Sequence, residues 1–222
     1  MVTFCSYFDE LENWDKGRVV ILRGEAGCFC SGADLAMLQD RTRTVGFFAY
    51  ILSRLSNLPL VSVALVQGYA LGGGAEMALA CDLRVMSPAA KIGLIHVKRG
   101  VCSSMGATTR LVQRLGRSKT AHVVCSGSIY KADEAKDIGL VDVVLSQDSD
   151  DEMRDTEAWV KSQFGAIDSA ALRACKRLVC DIAGENSREN DREKNDREID
   201  TFLYRLSCLD RQKALDTQKK AP

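Results

Sequence analysis

Residues 60–67, LVSVALVQ, are too continuously apolar for a strand that shows one face to water. Half-exposed strands alternate apolar and polar residues, whereas an unbroken apolar run suits a strand covered on both faces. Parallel strands in α/β proteins are covered in this way. The run leads into a glycine-dense turn, Gly68–Gly74 (GYALGGG), and then AEMALACD, a helix with small residues on several faces. Strand, glycine turn and helix in this order constrain the chain to an α/β layer structure.

The order recurs along the first two-thirds of the sequence. Val19–Arg23 (VVILR) reads as a short buried strand stopped by Gly24. A loop, GEAGCFCSGAD, follows, and LAMLQD begins a helix with Ser31 or Asp34 as cap. Helical spacing from Val45 to Leu55 is broken at Asn57-Leu58-Pro59. Leu83–Ser87 and Lys91–Leu94 read as strands, and a helix from about Ser104 to Leu115 ends at Gly116. Helical segments cover 117–125 and 131–137, and Val141–Leu145 closes as a strand. After Gln147 only helices are expected, which divides the chain into an α/β core, 1–147, and a helical region, 148–222. The mixed-charge run Ser187–Asp200 reads as a solvated helix face supported by neighbouring ion pairs.

Composition narrows the partners. Thirty Lys and Arg cancel thirty Asp and Glu in the 222 residues. A chain without net charge has no overall attraction for polyphosphate or anionic lipid, so nucleic acid is not expected as a partner. No apolar run approaches the roughly 20 residues needed to cross a bilayer. The start, MVTFCSYFDELENWDKG, is acidic where a signal peptide needs a basic start and an apolar core, so the expected compartment is the cytosol. Nine cysteines include no CxxC pair, and only two histidines are present. Closely spaced thiolate or imidazole pairs are what a zinc site requires. The cysteines therefore read as small hydrophobes in a reducing compartment, and no metal is expected.

Two strand-to-helix turns, Ser31-Gly32-Ala33-Asp34 and Leu71-Gly72-Gly73-Gly74, are candidates for chemistry. Unpaired N–H groups and the positive end of the helix dipole point outward at such a turn. A single glycine turn is as well explained by close helix–strand packing. GxGxxG and GK[ST] are both absent, which removes dinucleotide and Walker-type readings. What remains is a pair of backbone donors able to converge on one oxygen and stabilise developing charge there.

FCSGADL (Phe29–Leu35) and VQGYALGGGAEMALACDLRVM (Val66–Met86) resemble the two signature turns of the crotonase, or enoyl-CoA hydratase/isomerase, superfamily. The resemblance runs in register from about Val19 to Leu145 and includes TTRLVQRLG (Thr108–Gly116) and the stretch SGSIYKADEAKDIGLVDVVL. It implies a spiral of βαβ turns with a C-terminal helical region used for trimer assembly, as a homotrimer or a dimer of trimers. It also implies an acyl-CoA thioester as substrate. The Ala33 and Gly73 N–H groups match the family's oxyanion hole, and Asp34, Leu35 and Ala36 match the stretch that lies along the CoA moiety.

Side chains above the hole decide the reaction. Hydratases of the family use two glutamates, one on the helix after the triple glycine and one on the following loop. Glu76 matches the first; at the second position, in IGLIHVKRG, stands His96. Loss of one carboxylate removes the pair that orients a water. Histidine there, with LPLVSVALVQG and the GGGAE form of the turn, is similar to the ethylmalonyl-CoA decarboxylase branch. That resemblance implies a carboxy-lyase acting on ethylmalonyl-CoA and methylmalonyl-CoA in metabolite clean-up. His96 would hold the departing carboxylate or supply the proton, and Glu76 would be protonated, or would position His96 or the leaving group. No cofactor is needed, because the thioester is its own electron sink. Tyr69 and Met77 are expected to flank the hole, and His122 to be structural.

The pattern departs from the family in two places. The family begins earlier, with a strand and an NxPxxxNA-type turn that helps bind CoA, so an unpaired strand edge is expected here. In VCSSMGATT, Ser103, Met105 and Ala107 occupy places where the branch has a proline, a tryptophan and a second glycine. Enoyl-CoA hydratase/isomerase activity is the alternative reaction, and a non-catalytic crotonase-fold binding protein the alternative class.

Overall fold

The computed structural model describes residues 2–32 and 41–182, together with 199, 200, 203 and 207. Helix α1 (Val2–Glu12) precedes β1 (Val19–Arg23), α2 (Arg41–Ser56) and β2 (Val61–Val66). Then come β3 (Tyr69–Leu71), α3 (Gly73–Ala80), β4 (Leu83–Met86), β5 (Lys91–Gly93) and a 3-10 turn, Ile95–Arg99. Helix α4 (Ala107–Ser126), β6 (Tyr130–Lys131), α5 (Ala132–Ile138) and β7 (Val143–Val144) complete the α/β part. Helices α6 (Glu152–Phe164) and α7 (Ser169–Ile182) follow.

Four parallel strands form the main sheet in the order β1-β2-β4-β7. Every residue of β2 is buried. Val63 and Leu65 face α6, where they meet Val85, Trp159 and Val160, while Ala64 and Val66 join the larger core with Leu52, Leu79 and Leu111. Successive side chains of a strand point to opposite faces, so a strand with helices on both sides has no place for polar alternation. Ser62 is the exception, and its hydroxyl is satisfied by Asp82 Oδ2 at 3.0 Å. Complete burial of residues such as Leu65 stabilises the fold by about 1.5–3 kcal/mol each. Strand β1 is only half-buried and, among the described residues, has β2 on one side and no strand on the other.

A second sheet has the order β3-β5-β6; β5 is the expected short strand, whereas β3 stands where the sequence reads as a turn. Three residues inside Gly68–Gly74 are a strand because Tyr69–Leu71 pair in parallel with Lys91–Gly93, a contact that no local pattern announces. Cys30 extends this sheet by bridging to Ala70. Other boundaries shift for visible reasons. Helix α4 begins at Ala107 rather than near Ser104, because Gly106 adopts φ 87° and the Ser104 and Met105 amides are engaged elsewhere. Within α4 the chain kinks at Gly116, which is non-helical (φ 75°, ψ 169°), so two helical segments meet there as the sequence suggests. Asp142 lies outside β7 because its carboxylate accepts from the Arg84 amide at 2.8 Å. Helix α7 is tied to the sheet by Lys176, whose ammonium donates to Asp82 and, at 2.8 Å, to the Ser56 carbonyl. Of the charged run 187–200, residues 187–198 lie outside the described residues.

Candidate active site

The chain leaves β3 through Gly72 (φ 55°, ψ −121°), a conformation that suits a residue without a Cβ. Gly72 supplies no side-chain cap to α3, so the first amides of that helix, beginning with Gly73, have no intrahelical acceptor. The next glycine is required by contact. A Cβ on Gly74 would stand 2.0 Å from the Cys30 carbonyl oxygen. The Cys30 amide donates to Tyr69 O at 2.9 Å, and Leu71 N donates to Cys30 O at 3.0 Å, so the 28–32 loop runs along β3 into the start of α3. A Cβ on Gly32 would lie 3.4 Å from Leu71 O. The two small-residue turns are thus neighbours in space as far as Gly32. Ala33, Asp34, Leu35 and Ala36 lie outside the described residues.

Glu76 sits in the first turn of α3 and is fully buried. Its Oε1 accepts two backbone bonds, from Ser104 N at 3.1 Å and Met105 N at 2.9 Å. Its Oε2 lies 3.2 Å from His96 Nε2. That approach is within ion-pair range but lacks the alignment of an N–H···O bond; among the described residues Glu76 Oε2 and His96 Nδ1 have no hydrogen-bond partner. His96 is carried on the 3-10 turn, which closes at Gly100 in the left-handed region (φ 73°). Its Nε2 would be 3.8 Å from a Cβ on Gly72, and Met105 Cε would be 3.4 Å from one on Gly73. Gly73, Glu76 and His96, expected from sequence to act together, are together.

The arrangement can handle both charge and a proton. A carboxylate fixed through one oxygen presents the other to an imidazole, and imidazole is the side chain that exchanges a proton near neutral pH. The helix N-terminus adds partial positive charge beside them. Cys81, at the far end of α3, has no part in this chemistry: burial pushes its thiol up to about 12, so it stays protonated. Among the described residues no three His, Cys, Asp or Glu side chains form a metal-holding cluster.

Three side chains fall elsewhere. Met77 lines an apolar cavity of about 400 Å³ with Leu22, Phe47 and Ile51. Tyr69 is 46% exposed, with Lys91 Nζ 6.0 Å from its ring centre. His122 is exposed on α4 rather than packed. Sequence reasoning missed the Ser104 and Met105 amides, and Arg110 behind them; the run TTRLVQRLG marks the segment but not this role.

A family model described as enoyl-CoA hydratase/isomerase matches residues 2–216. Ethylmalonyl-CoA decarboxylase of Homo sapiens is 40% identical over 195 residues, covering 83% of this chain and 63% of that protein. The Mus musculus protein of the same name is 38% identical over 195 residues, 83% of this chain and 60% of its own length. The chain thus spans less than two thirds of these curated relatives. Among solved structures, enoyl-CoA hydratase from Bacillus halodurans has a TM-score of 0.80 at 22% identity, covering 92% of this chain and 83% of its own. Another from Mycobacterium avium subsp. paratuberculosis has a TM-score of 0.80 at 23% identity, covering 92% and 81%. At these identities the two structures establish a shared fold.

Proposed function

The chain belongs to the enoyl-CoA hydratase/isomerase family, and from that premise we propose that it decarboxylates a malonyl-type acyl-CoA, ethylmalonyl-CoA first and methylmalonyl-CoA second. One observation carries the reading: the side chain facing Glu76 across 3.2 Å is an imidazole, not a second carboxylate. Two carboxylates would suit the orientation of a water; a carboxylate and an imidazole suit delivery of one proton. The names of the relatives support the same substrate class.

In this reading the bond between the α-carbon and the free carboxylate breaks, and carbon dioxide leaves. Its electron pair forms the enolate of the thioester, whose oxygen takes the negative charge. The Gly73 N–H, with the Ala33 N–H as partner, receives that charge; such donors contribute about 3–4 kcal/mol each to a transition state. His96 then protonates the α-carbon, forming butyryl-CoA from ethylmalonyl-CoA. Of the three roles left open by sequence, this reading takes Glu76 as the positioning partner of His96, supported by their 3.2 Å approach. Asp34, Leu35 and Ala36 contact the CoA moiety. No cofactor enters, since the thioester accepts the electrons.

Assembly as a homotrimer or dimer of trimers belongs to the same proposal. The exposed apolar residues Leu178 and Val179 of α7 supply a face for it. The proposed setting is metabolite clean-up in the cytosol; among the described residues no helix is long and apolar enough to cross a membrane.

The test incubates the 222-residue protein with ethylmalonyl-CoA, methylmalonyl-CoA and crotonyl-CoA separately. Butyryl-CoA or propionyl-CoA with equimolar carbon dioxide is the expected result. Hydration of crotonyl-CoA without decarboxylation replaces the reading with a hydratase. Binding of CoA esters without turnover of any replaces it with a non-catalytic protein.

A further inference from the structure

Glu76 is held by amides that are themselves held. Met105 donates its N–H to Glu76 Oε1, and the carbonyl of the same residue accepts from Arg110 Nη1 at 2.7 Å. Arg110 directs two further donors to the C-terminal end of α2: Nε donates to Ser56 Oγ at 3.0 Å, and Nη2 reaches Leu52 O at 3.4 Å. All three acceptors are neutral. A guanidinium is a rigid planar fork, so three acceptors on two different segments fix it in one orientation. Ser56 is buried and receives Lys176 of α7 on its carbonyl at 2.8 Å, which anchors the far end.

The loop that Arg110 braces has no regular structure of its own. Residues 101–104 are neither helix nor strand, and Gly106 is left-handed. Arg110 holds the 105–106 peptide through its carbonyl, directly beside the 104–105 peptide whose N–H serves Glu76, while the neighbouring Ser103 hydroxyl pairs with that of Thr108.

We infer that Arg110 is a positioning residue for the reaction: it fixes the two-amide clamp of Ser104 and Met105, and through that clamp it sets where Glu76 Oε2 meets His96. This rests on the proposed reading of Glu76 and His96 as the pair that handles the proton. Arg110 touches neither substrate nor reacting atoms. Its effect is therefore on kcat rather than on binding of the CoA ester.

Arg110→Met keeps the apolar stem and removes the fork; Arg110→Lys keeps the cation but offers one ammonium where three acceptors wait. The expected outcome for either is a fall in kcat of about 10- to 100-fold, as misplacement of a catalytic group by an ångström brings, with KM near the wild-type value. Where the methionine variant fails to fold, the lysine variant carries the test. A structural brace alone would also slow the enzyme, so two further readouts separate the roles. In the double variant with Glu76→Gln, Arg110→Lys costs nothing beyond Glu76→Gln alone; effects that multiply overturn the relay. The chain has two histidines, so the ring Cε1–H resonances of His96 and His122 can be followed without substrate. His96 is expected to move in Arg110→Lys while the exposed His122 stays. An unmoved His96 resonance with wild-type kcat overturns the inference. Failure of the wild-type chain to decarboxylate ethylmalonyl-CoA sinks the proposed reaction instead, and leaves the clamp to be read from the resonance.

Discussion

His96 Nε2 stands 3.2 Å from Glu76 Oε2, and the two residues reach that point from different sides of the glycine turn. Glu76 comes from inside α3, one turn past Gly73, and His96 from a 3-10 turn that follows β5. On the proposed reading, their opposition is where the proton is handled.

Glu76→Gln keeps the shape and leaves one oxygen to accept from Ser104 and Met105. On the proposed reading it removes the oxygen that positions His96. The expected loss of kcat is about 100-fold, the lower end of what acid–base groups contribute, measured as butyryl-CoA formed from ethylmalonyl-CoA. Full activity in this variant would remove Glu76 from the mechanism.

His96→Gln removes the proposed proton donor while keeping a polar side chain of similar reach. Turnover should fall by about 100-fold or more, and binding of butyryl-CoA, followed by calorimetry, should stay close to that of the wild type. Loss of binding with the same loss of turnover would make His96 a substrate anchor instead.

Two glycine-to-alanine changes should move stability in opposite directions. At Gly74 the new Cβ would meet Cys30 O at 2.0 Å, so the turns must separate, at a cost of about 3 kcal/mol. Gly46 lies within α2, and a Cβ there has nothing within 4 Å. Alanine at that place should stabilise by about 0.5–1 kcal/mol through helix propensity and unfolded-state entropy. Urea unfolding of both variants decides the matter.

Lys176 couples α7 to the sheet in a pH-dependent way. Burial works against its charge, but Asp82 beside it outweighs burial, and the ammonium titrates above its ordinary 10.5. A raised value means that the stabilisation is complete below the ordinary lysine range and fades as pH climbs through the folded value. Lys176→Met should cost about 3 kcal/mol at neutral pH, since it takes the cation from Oδ1 of a largely buried carboxylate whose Oδ2 alone keeps its donors from Ser62. The deficit in urea midpoint relative to wild type should stay constant up to about pH 10 and shrink above it. A deficit that shrinks toward acid pH would assign the effect to other groups.

Local pattern carried much of this architecture. The unbroken apolar run of 60–67 could only be an inner strand, and Val61–Val66 lies between β1 and β4. The turn at Gly73 was legible from glycine density between an apolar run and a helix, whereas Glu76 and His96 were picked out only by their match to positions of the resembled family. What escaped was set by partners far away in the chain. Tyr69–Leu71 is a strand only because Lys91–Gly93 lies beside it. Met77 differs from Glu76 by one step, yet a step of one on a helix turns the side chain to another face, toward Leu22 and Phe47. The start of α4 was misplaced because Glu76, on another helix, takes the amides that would have begun it.

Gly73 and Glu76 ride on a single turn of α3, so their separation cannot change unless that helix unwinds. His96, Ser104 and Met105 belong instead to one continuous stretch, residues 95–105, with only a 3-10 turn for regular structure. The scaffold therefore divides into a fixed anvil and an interchangeable cassette. Grafting another 95–105 sequence between β5 and α4 is the shortest route by which this framework acquires a different reaction.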